Sequence, residues 1–139
     1  MSLHFSNQEF SNRKNNTIKS MKDNNLDALL MFRQESMYWL TGYDTFGYVF
    51  FQTLVLDQLG NLILLTRAPD LRQAQNTSNI KDIRIWIDQD KANPTEDLKQ
   101  ILNELNFKGN KVGVEYEAYG MTGRNALSLN KSMENYCKV

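Results

Sequence analysis

The sequence predicts a single α/β domain built on a mixed β-sheet with helices on both faces. Short apolar runs alternate along the chain with segments of helical periodicity, the pattern of a sheet covered by helices. The interiors of the predicted strands are apolar throughout, so both faces of the sheet should be buried. A turn sequence at residues 57–61 joins two of these runs and predicts a hairpin, which makes the sheet mixed rather than wholly parallel. Residues 1–139 contain neither an internal repeat nor a linker-like segment, and we interpret them as one domain.

The first helix is predicted to begin at Asn7. Ser6 stands three residues before Glu9, the spacing of a capping box, and Phe5 and Phe10 occupy the positions of a hydrophobic staple. The helix should be amphipathic and lie on the surface of the domain. Its apolar face is predicted to comprise Phe10, Thr17, Ile18 and Met21.

Four apolar segments follow a helix stop at residues 24–25 and are predicted to be strands. They are residues 27–32, 37–40, 48–56 and 62–66. The third is rich in aromatic and β-branched side chains, which suit strands. The turn that contains Gly60 should pair the third segment with the fourth.

The second half of the chain predicts three helices and two strands. Pro69 should open a short helix that runs to about Asn76, because proline is favoured at the first helical position. Asn93 should cap a longer helix that ends near Lys108 and Gly109, and residues 122–133 should form the last helix. The strands are predicted at residues 83–87 and 111–115. The apolar face of the Asn93 helix comprises Leu98, Ile101, Leu102 and Leu105.

Charge and composition exclude several classes of partner. The 16 basic and 16 acidic side chains cancel and are interspersed, so no basic stripe predicts nucleic-acid binding. No apolar run approaches the ~20 residues that a membrane helix needs, and we expect no membrane partner. Cys137 is the only cysteine and the first ten residues do not resemble a secretory signal, so we expect a cytoplasmic protein.

The residues give no pattern of catalytic or metal-binding chemistry. His4 is the only histidine, and together with one distant cysteine it cannot form a zinc site of the usual N/S type. Cys137 has no histidine nearby to serve as its base, and no nucleophile-elbow or phosphate-binding glycine motif occurs. We therefore expect no catalytic residue, no metal ligand and no cofactor in this chain.

Residues 36–51 hold much of the aromatic content of the chain. We expect Trp39, Phe50 and Phe51 to belong to the core. The loop at residues 43–48 places tyrosine, phenylalanine and an aspartate between two turn-capable glycines, which suits a loop that presents an apolar wall and a polar tip to a ligand. From the residues alone, ligand binding and a structural role both remain open for this loop.

Residues 38–44, Tyr-Trp-Leu-Thr-Gly-Tyr-Asp, resemble the Tyr-Leu-Thr-Gly signature of the creatinase/prolidase amino-terminal domains. Three further segments are similar to features of that family and follow in its order. They are residues 21–30 for the step from helix to first strand, residues 60–67 for the hairpin, and residues 112–115, Val-Gly-Val-Glu, for a late strand. The resemblance extends over nearly the whole chain.

The resemblance implies a ribonuclease-H-like fold and a two-part enzyme. Xaa-Pro dipeptidases, aminopeptidases, creatinases and ectoine hydrolases carry a carboxy-terminal catalytic domain, which is absent from residues 1–139. That domain would hold two divalent metal ions through two aspartates, one histidine and two glutamates. It would hydrolyse C–N bonds of a dipeptide or another small molecule.

The resemblance also implies a homodimer in which the loop after Thr-Gly reaches the substrate pocket of the partner subunit. By position, the loop residues here are Tyr43, Asp44, Thr45, Phe46 and Tyr48. Asp44 is expected to orient a cationic or N–H group of the substrate. A stand-alone small-molecule-binding module and a purely structural dimerisation domain are the two alternatives.

Overall fold

A computed structural model describes residues 3–139, which form five helices and five strands. The helices are α1 (Asn7–Asp23), α2 (Gln34–Thr41), α3 (Leu71–Thr77), α4 (Pro94–Glu104) and α5 (Gly123–Met133). The strands are β1 (Ala28–Met31), β2 (Thr53–Asp57), β3 (Leu62–Arg67), β4 (Asp82–Trp86) and β5 (Val112–Val114). Two short 3₁₀ turns, Gly47–Val49 and Ala68–Asp70, complete the described secondary structure.

The five strands form one mixed sheet in the order β4-β3-β2-β1-β5. β2 pairs antiparallel with both β1 and β3, and the predicted hairpin joins β2 to β3. The outer pairs, β3 with β4 and β1 with β5, are parallel. The mixed sheet predicted from the hairpin is therefore confirmed.

Helices cover both faces of the sheet, because neighbouring residues of each central strand contribute to different cores. Leu30 and Val55 face α4 and α5, in a core that also contains Leu98, Ile101, Leu102, Leu129 and Met133. Leu54 and Leu64 face the other side, where Met21 of α1, Met37 and Leu40 of α2 and Ala74 of α3 complete a second core. This arrangement explains the continuous apolar runs, since a strand buried on both faces has no solvent-facing position.

The predicted start of α1 is confirmed. The Ser6 hydroxyl accepts a hydrogen bond from the Glu9 amide at 3.1 Å, and the Phe5 and Phe10 rings meet edge to face at 5.8 Å. The Glu9 carboxylate instead pairs with Arg13 at 3.1 Å, so the return half of the capping box is not made. α4 ends at Glu104, four to five residues before the predicted stop, and Asn106 already adopts a positive φ of 62°.

The prediction of a strand at residues 37–40 is wrong. These residues lie within α2. A four-residue apolar run does not distinguish a strand from a buried turn of helix. Met37, Leu40 and Thr41 are the buried residues of α2, at the i, i+3, i+4 spacing of a helix face. Gly42 ends the helix at φ 85°, the left-handed conformation that glycine adopts without strain.

The predicted strand at residues 48–56 is too long, because β2 begins only at Thr53. Residues 47–49 form a 3₁₀ turn instead. The prediction that Trp39 and Phe50 belong to the core is wrong: Trp39 is 46% exposed and Phe50 is 36% exposed, whereas Phe51 is buried as predicted. The partly exposed Phe50 ring packs against the guanidinium of Arg67, whose Cζ lies 3.6 Å from the ring centroid.

None of the helices described within residues 3–139 is both long enough and apolar enough to span a bilayer.

Candidate functional site

A surface groove of about 550 Å³ lies beside the loop that the sequence singled out. We call it the tyrosine groove. It is lined by Gln34, Glu35, Tyr38, Asp44, Tyr48, Val49 and Tyr119. Two consecutive segments, the first half of α2 and the loop at residues 42–49, therefore meet the loop between β5 and α5, which is distant in sequence.

The five residues predicted for the site are divided by the structure. Asp44 and Tyr48 line the groove. Tyr43 is 0% exposed and Thr45 is buried, so neither side chain forms a surface wall; both instead hold the loop from beneath. Phe46 is 92% exposed but does not belong to the lining of the groove.

The Tyr43 side chain anchors the loop to the core through a closed polar network. Its hydroxyl donates to Oε1 of Gln52 at 3.0 Å and lies 3.0 Å from the hydroxyl of Thr66. Gln52 in turn donates to Oε1 of Gln34 at 3.1 Å, and Nε2 of Gln34 donates to the carbonyl of Tyr43 at 2.7 Å. Both ends of the Gln34 amide are thereby fixed where the residue lines the groove. Burial raises the pKa of the Tyr43 hydroxyl to about 12, so it remains a donor at any physiological pH.

A second anchor holds the other half of the loop. The Thr45 hydroxyl donates to Oδ1 of Asp70 at 2.6 Å, and the Gly47 amide donates to the same hydroxyl oxygen at 3.0 Å. A Cβ at Gly47 would overlap the Asp70 carboxylate, so a larger residue there would have to displace that side chain. Oδ2 of Asp70 and Nε of Arg67 are buried 3.7 Å apart, and their opposite charges offset part of the cost of burying either one.

The wall that carries Tyr119 is placed by a close approach between two backbones. A Cβ at Gly120 would overlap the carbonyl oxygen of Phe50, so the loop between β5 and α5 can lie directly on the segment that follows Tyr48. The rings of Tyr48 and Tyr119 meet edge to face, 5.6 Å apart at an angle of 69°. They form one aromatic corner of the groove.

The start of α2 is held by Glu115, which follows β5. Oε1 of Glu115 accepts hydrogen bonds from the amides of Phe32 at 3.1 Å and Arg33 at 3.2 Å. Its Oε2 accepts from the Ser36 hydroxyl at 2.7 Å. Because α2 supplies three lining residues, this carboxylate fixes one side of the groove without lining it, which gives a physical reason for the acid in the Val-Gly-Val-Glu segment.

The groove carries two carboxylates, Glu35 and Asp44, and no lysine or arginine is among its lining residues. Nε of Arg33 lies 3.7 Å from Glu35. Both side chains of that pair are largely exposed, so the pairing is weak. The hydrogen bonds described for Asp44 use its backbone amide and carbonyl, both with the hydroxyl of Thr77. The Asp44 carboxylate is exposed and takes part in neither of these hydrogen bonds.

Within residues 3–139, no group of three or more His, Cys, Asp or Glu side chains comes together in a way that could hold a metal ion. Burial raises the pKa of the Cys137 thiol, which lowers its thiolate fraction and makes it a poorer nucleophile.

Sequence reasoning missed five of the seven residues that line the groove: Gln34, Glu35, Tyr38, Val49 and Tyr119. A helical interpretation of residues 34–41 would have indicated Gln34, because it stands one turn before Tyr38 on the same face. Tyr119 carries no such signal, since it lies about 70 residues along the chain and reaches the site only through the pairing of β5 with β1.

Comparison with known proteins gives a family model, the Creatinase/Prolidase N-terminal domain, which matches residues 13–138. Among curated proteins, the chain is 28% identical over 140 residues to the uncharacterized hydrolase/peptidase y4tM of Sinorhizobium fredii (strain NBRC 101917 / NGR234). The match covers 96% of this chain and 36% of that protein. The chain thus spans about a third of the length of its curated relative.

Solved structures share the fold at low sequence identity. A recombinant prolidase from Thermococcus sibiricus superposes with a TM-score of 0.76 at 17% identity, covering 94% of this chain and 34% of that one. An Xaa-Pro aminopeptidase chain from Streptococcus pyogenes gives 0.74 at 15% identity, with 96% and 92% covered. The creatinase/prolidase N-terminal domain of an X-Pro dipeptidase from the same organism gives 0.71 at 13% identity, with 91% and 92% covered.

Proposed function

Because the chain belongs to the creatinase/prolidase N-terminal domain family, we propose that it serves as the non-catalytic domain of a metal-dependent hydrolase of C–N bonds. The activity would be of the Xaa-Pro dipeptidase or aminopeptidase type, and the partners would be its own carboxy-terminal catalytic domain and a second copy in a homodimer. The domain would add the tyrosine groove to the substrate pocket of the partner subunit. A cytoplasmic location is part of the proposal and is supported by the single cysteine.

The observation that carries the proposal is the groove itself. Its walls are preorganised by the Tyr43 network and the contact of Thr45 with Asp70. Such a surface costs little ordering entropy when it meets a substrate, which is what a pocket wall requires. A dipeptide or a similarly small molecule matches a volume of about 550 Å³.

The surroundings of the groove suit contact with another subunit. Phe46, Val49, Phe50 and Tyr119 are exposed apolar or aromatic side chains on the two loops that border it. A cluster of this kind is typical of an interaction site rather than of a free surface. Closure by a partner would exclude water from the groove and add shape discrimination.

Two divalent metal ions bound by the catalytic domain would supply the hydrolytic chemistry. The described residues form no ligand set for them. The part of this chain in the reaction would be to bind and orient the substrate and to exclude water.

A stand-alone binding module is the second candidate, and a specific observation favours it: one chain builds the whole groove by itself. A purely structural dimerisation domain is less well supported, because it would not need the groove. Translation of the reading frame beyond Val139 separates these from the hydrolase, which requires the aspartate, histidine and glutamate ligands to follow.

Kinetics of the complete enzyme test the proposal. We expect Asp44→Ala and Tyr48→Ala to lower kcat/KM about tenfold or more, which corresponds to about 1.4 kcal/mol of transition-state binding. Their stability should remain within about 1 kcal/mol of the parent, as for other surface changes. Asp90→Ala and Leu59→Ala are the matched controls, since both residues are exposed and outside the groove. Full activity in both loop variants would contradict the proposal.

A further inference from the structure

We propose that the tyrosine groove recognises a compact organic cation, such as a free or methylated ammonium group. This inference deepens the proposed function and rests on it for its biological setting. The binding itself is a property of the 139-residue chain and can be measured on that chain alone.

The first argument is aromatic. Tyr38, Tyr48 and Tyr119 line the groove, and the last two form a corner with ring centroids 5.6 Å apart. The face of an aromatic ring carries partial negative charge and attracts a cation. Several tyrosines around one space are the usual environment in which proteins bind alkylated ammonium groups.

The second argument is the sign of the charge. Glu35 and Asp44 are the two charged residues among the seven that line the groove, and both are acidic. The Asp44 carboxylate is not used by the described hydrogen bonds of that residue. The oxygen of the Gln34 amide and one of its N–H groups are already bonded to Gln52 and Tyr43, so this side chain adds only a neutral dipole to the groove. The net charge of the lining residues is therefore negative, which favours a cation over an anion, although Arg33 beside Glu35 offsets part of it.

The third argument distinguishes a cation from a neutral apolar ligand. A neutral ligand of the same shape would bury the same tyrosine surface but gain nothing from Asp44 or from the ring quadrupoles. The groove is open to solvent, where a cation–π contact contributes about 0.5–1 kcal/mol and an exposed charge pair a similar amount. Together they predict that a cation binds several-fold to tenfold more tightly than its neutral isostere.

Choline and its neutral isostere 3,3-dimethylbutan-1-ol make this comparison directly, since they differ in a single atom at the quaternary centre. Each is titrated into the ¹⁵N-labelled chain and followed by amide chemical shifts. We expect choline to cause saturable shifts at residues of the groove and to bind at least about threefold more tightly than the isostere. Raising the salt concentration should reduce the difference in affinity between choline and the isostere, because salt screens exposed charges.

Three variants test the assignment to named side chains. Asp44→Asn keeps the shape but removes the charge, and Tyr48→Leu keeps an apolar side chain but removes the ring. Each should weaken choline binding about threefold or more, with little effect on the isostere. Asp90→Asn removes an exposed carboxylate outside the groove and should change neither affinity. The dispersion of each amide spectrum shows whether the variant is folded. If Tyr48→Leu does not fold, Asp44→Asn still tests the proposal, because Asp44 is exposed.

The inference is overturned if choline causes no saturable shifts in the groove, if the isostere binds equally well, or if Asp44→Asn binds choline as the parent does. These results would not contradict the proposed function, which is tested by the kinetics of the complete enzyme. Conversely, cation binding by the chain together with fully active loop variants would support the inference and contradict the proposed function.

Discussion

Loss of the Glu115 carboxylate should destabilise the domain. Glu115 is the point where β5, the end of β1 and the start of α2 are joined. One oxygen accepts from the amides of Phe32 and Arg33, and the other accepts from the hydroxyl of Ser36. The Arg33 side chain makes no capping hydrogen bond of its own, and the Glu115 carboxylate ties the start of α2 to the end of β5 from outside the helix.

The size of the effect follows from these three bonds. A hydrogen bond to a charged acceptor contributes about 1.5–3 kcal/mol, and a negative charge at a helix N-terminus adds about 0.3–1 kcal/mol. Glu115 is half-buried, so water can replace part of what Glu115→Ala removes. We therefore expect a loss of about 2–4 kcal/mol for Glu115→Ala and about half of that for Glu115→Gln, which keeps one acceptor oxygen.

Urea unfolding followed by circular dichroism measures the loss as a lower midpoint with an unchanged slope. Glu117→Ala is the matched control, because that glutamate is exposed, lies two residues away and should cost less than about 0.5 kcal/mol. If Glu115→Ala and Glu117→Ala unfold within about 0.5 kcal/mol of each other, the carboxylate does not hold α2, and our explanation of one side of the groove is wrong.

Three further predictions concern the core, the buried tyrosine and the loop contact. Leu102→Asp should lower the free energy of unfolding, measured by circular dichroism, by about 4 kcal/mol or more, because Leu102 is wholly buried between α4 and the sheet. A melting temperature within a degree or two of the parent would refute this packing. Tyr43→Phe should lose less stability than the parent as the pH rises from about 10 to about 12. The reason is that the unfolded chain releases the tyrosine proton near pH 10 while the folded chain keeps it until about 12; parallel pH profiles would contradict the burial of that hydroxyl. Gly120→Ala should cost about 1–3 kcal/mol and shift the amide signals of Tyr48 and Phe50, because the new methyl group meets the Phe50 carbonyl; unchanged signals would show that the loops do not touch.

The sheet and its two helical layers could be predicted from the sequence because each relies on local, strongly periodic signals. The capping serine of α1, the apolar face of α4 and the turn around Gly60 all lie where the pattern indicated. The mistaken strand at residues 37–40 shows the limit of the method. Four apolar residues fit either element, and their local pattern gives no sign of the contact between Ser36 and Glu115, which are 79 residues apart.

The site could be predicted only in part for the same reason. Aromatic content and flanking glycines drew attention to residues 43–48, two of which line the groove. They could not show that Tyr43 faces the core, since its place depends on Gln52 and Thr66. They also could not indicate Tyr119, which reaches the groove because Gly120 permits two backbones to touch.

Subunit complementation tests the central claim, that this domain serves the active site of its partner, most directly. One subunit of the complete enzyme carries Asp44→Ala and Tyr48→Ala, and the other carries an inactivating change at a metal ligand of the catalytic domain. Each homodimer should have little activity. Purified heterodimers should regain it, because one site then combines an intact catalytic domain with an intact groove from the opposite subunit. Heterodimers as inactive as both parents would show that the groove acts within its own subunit or not at all.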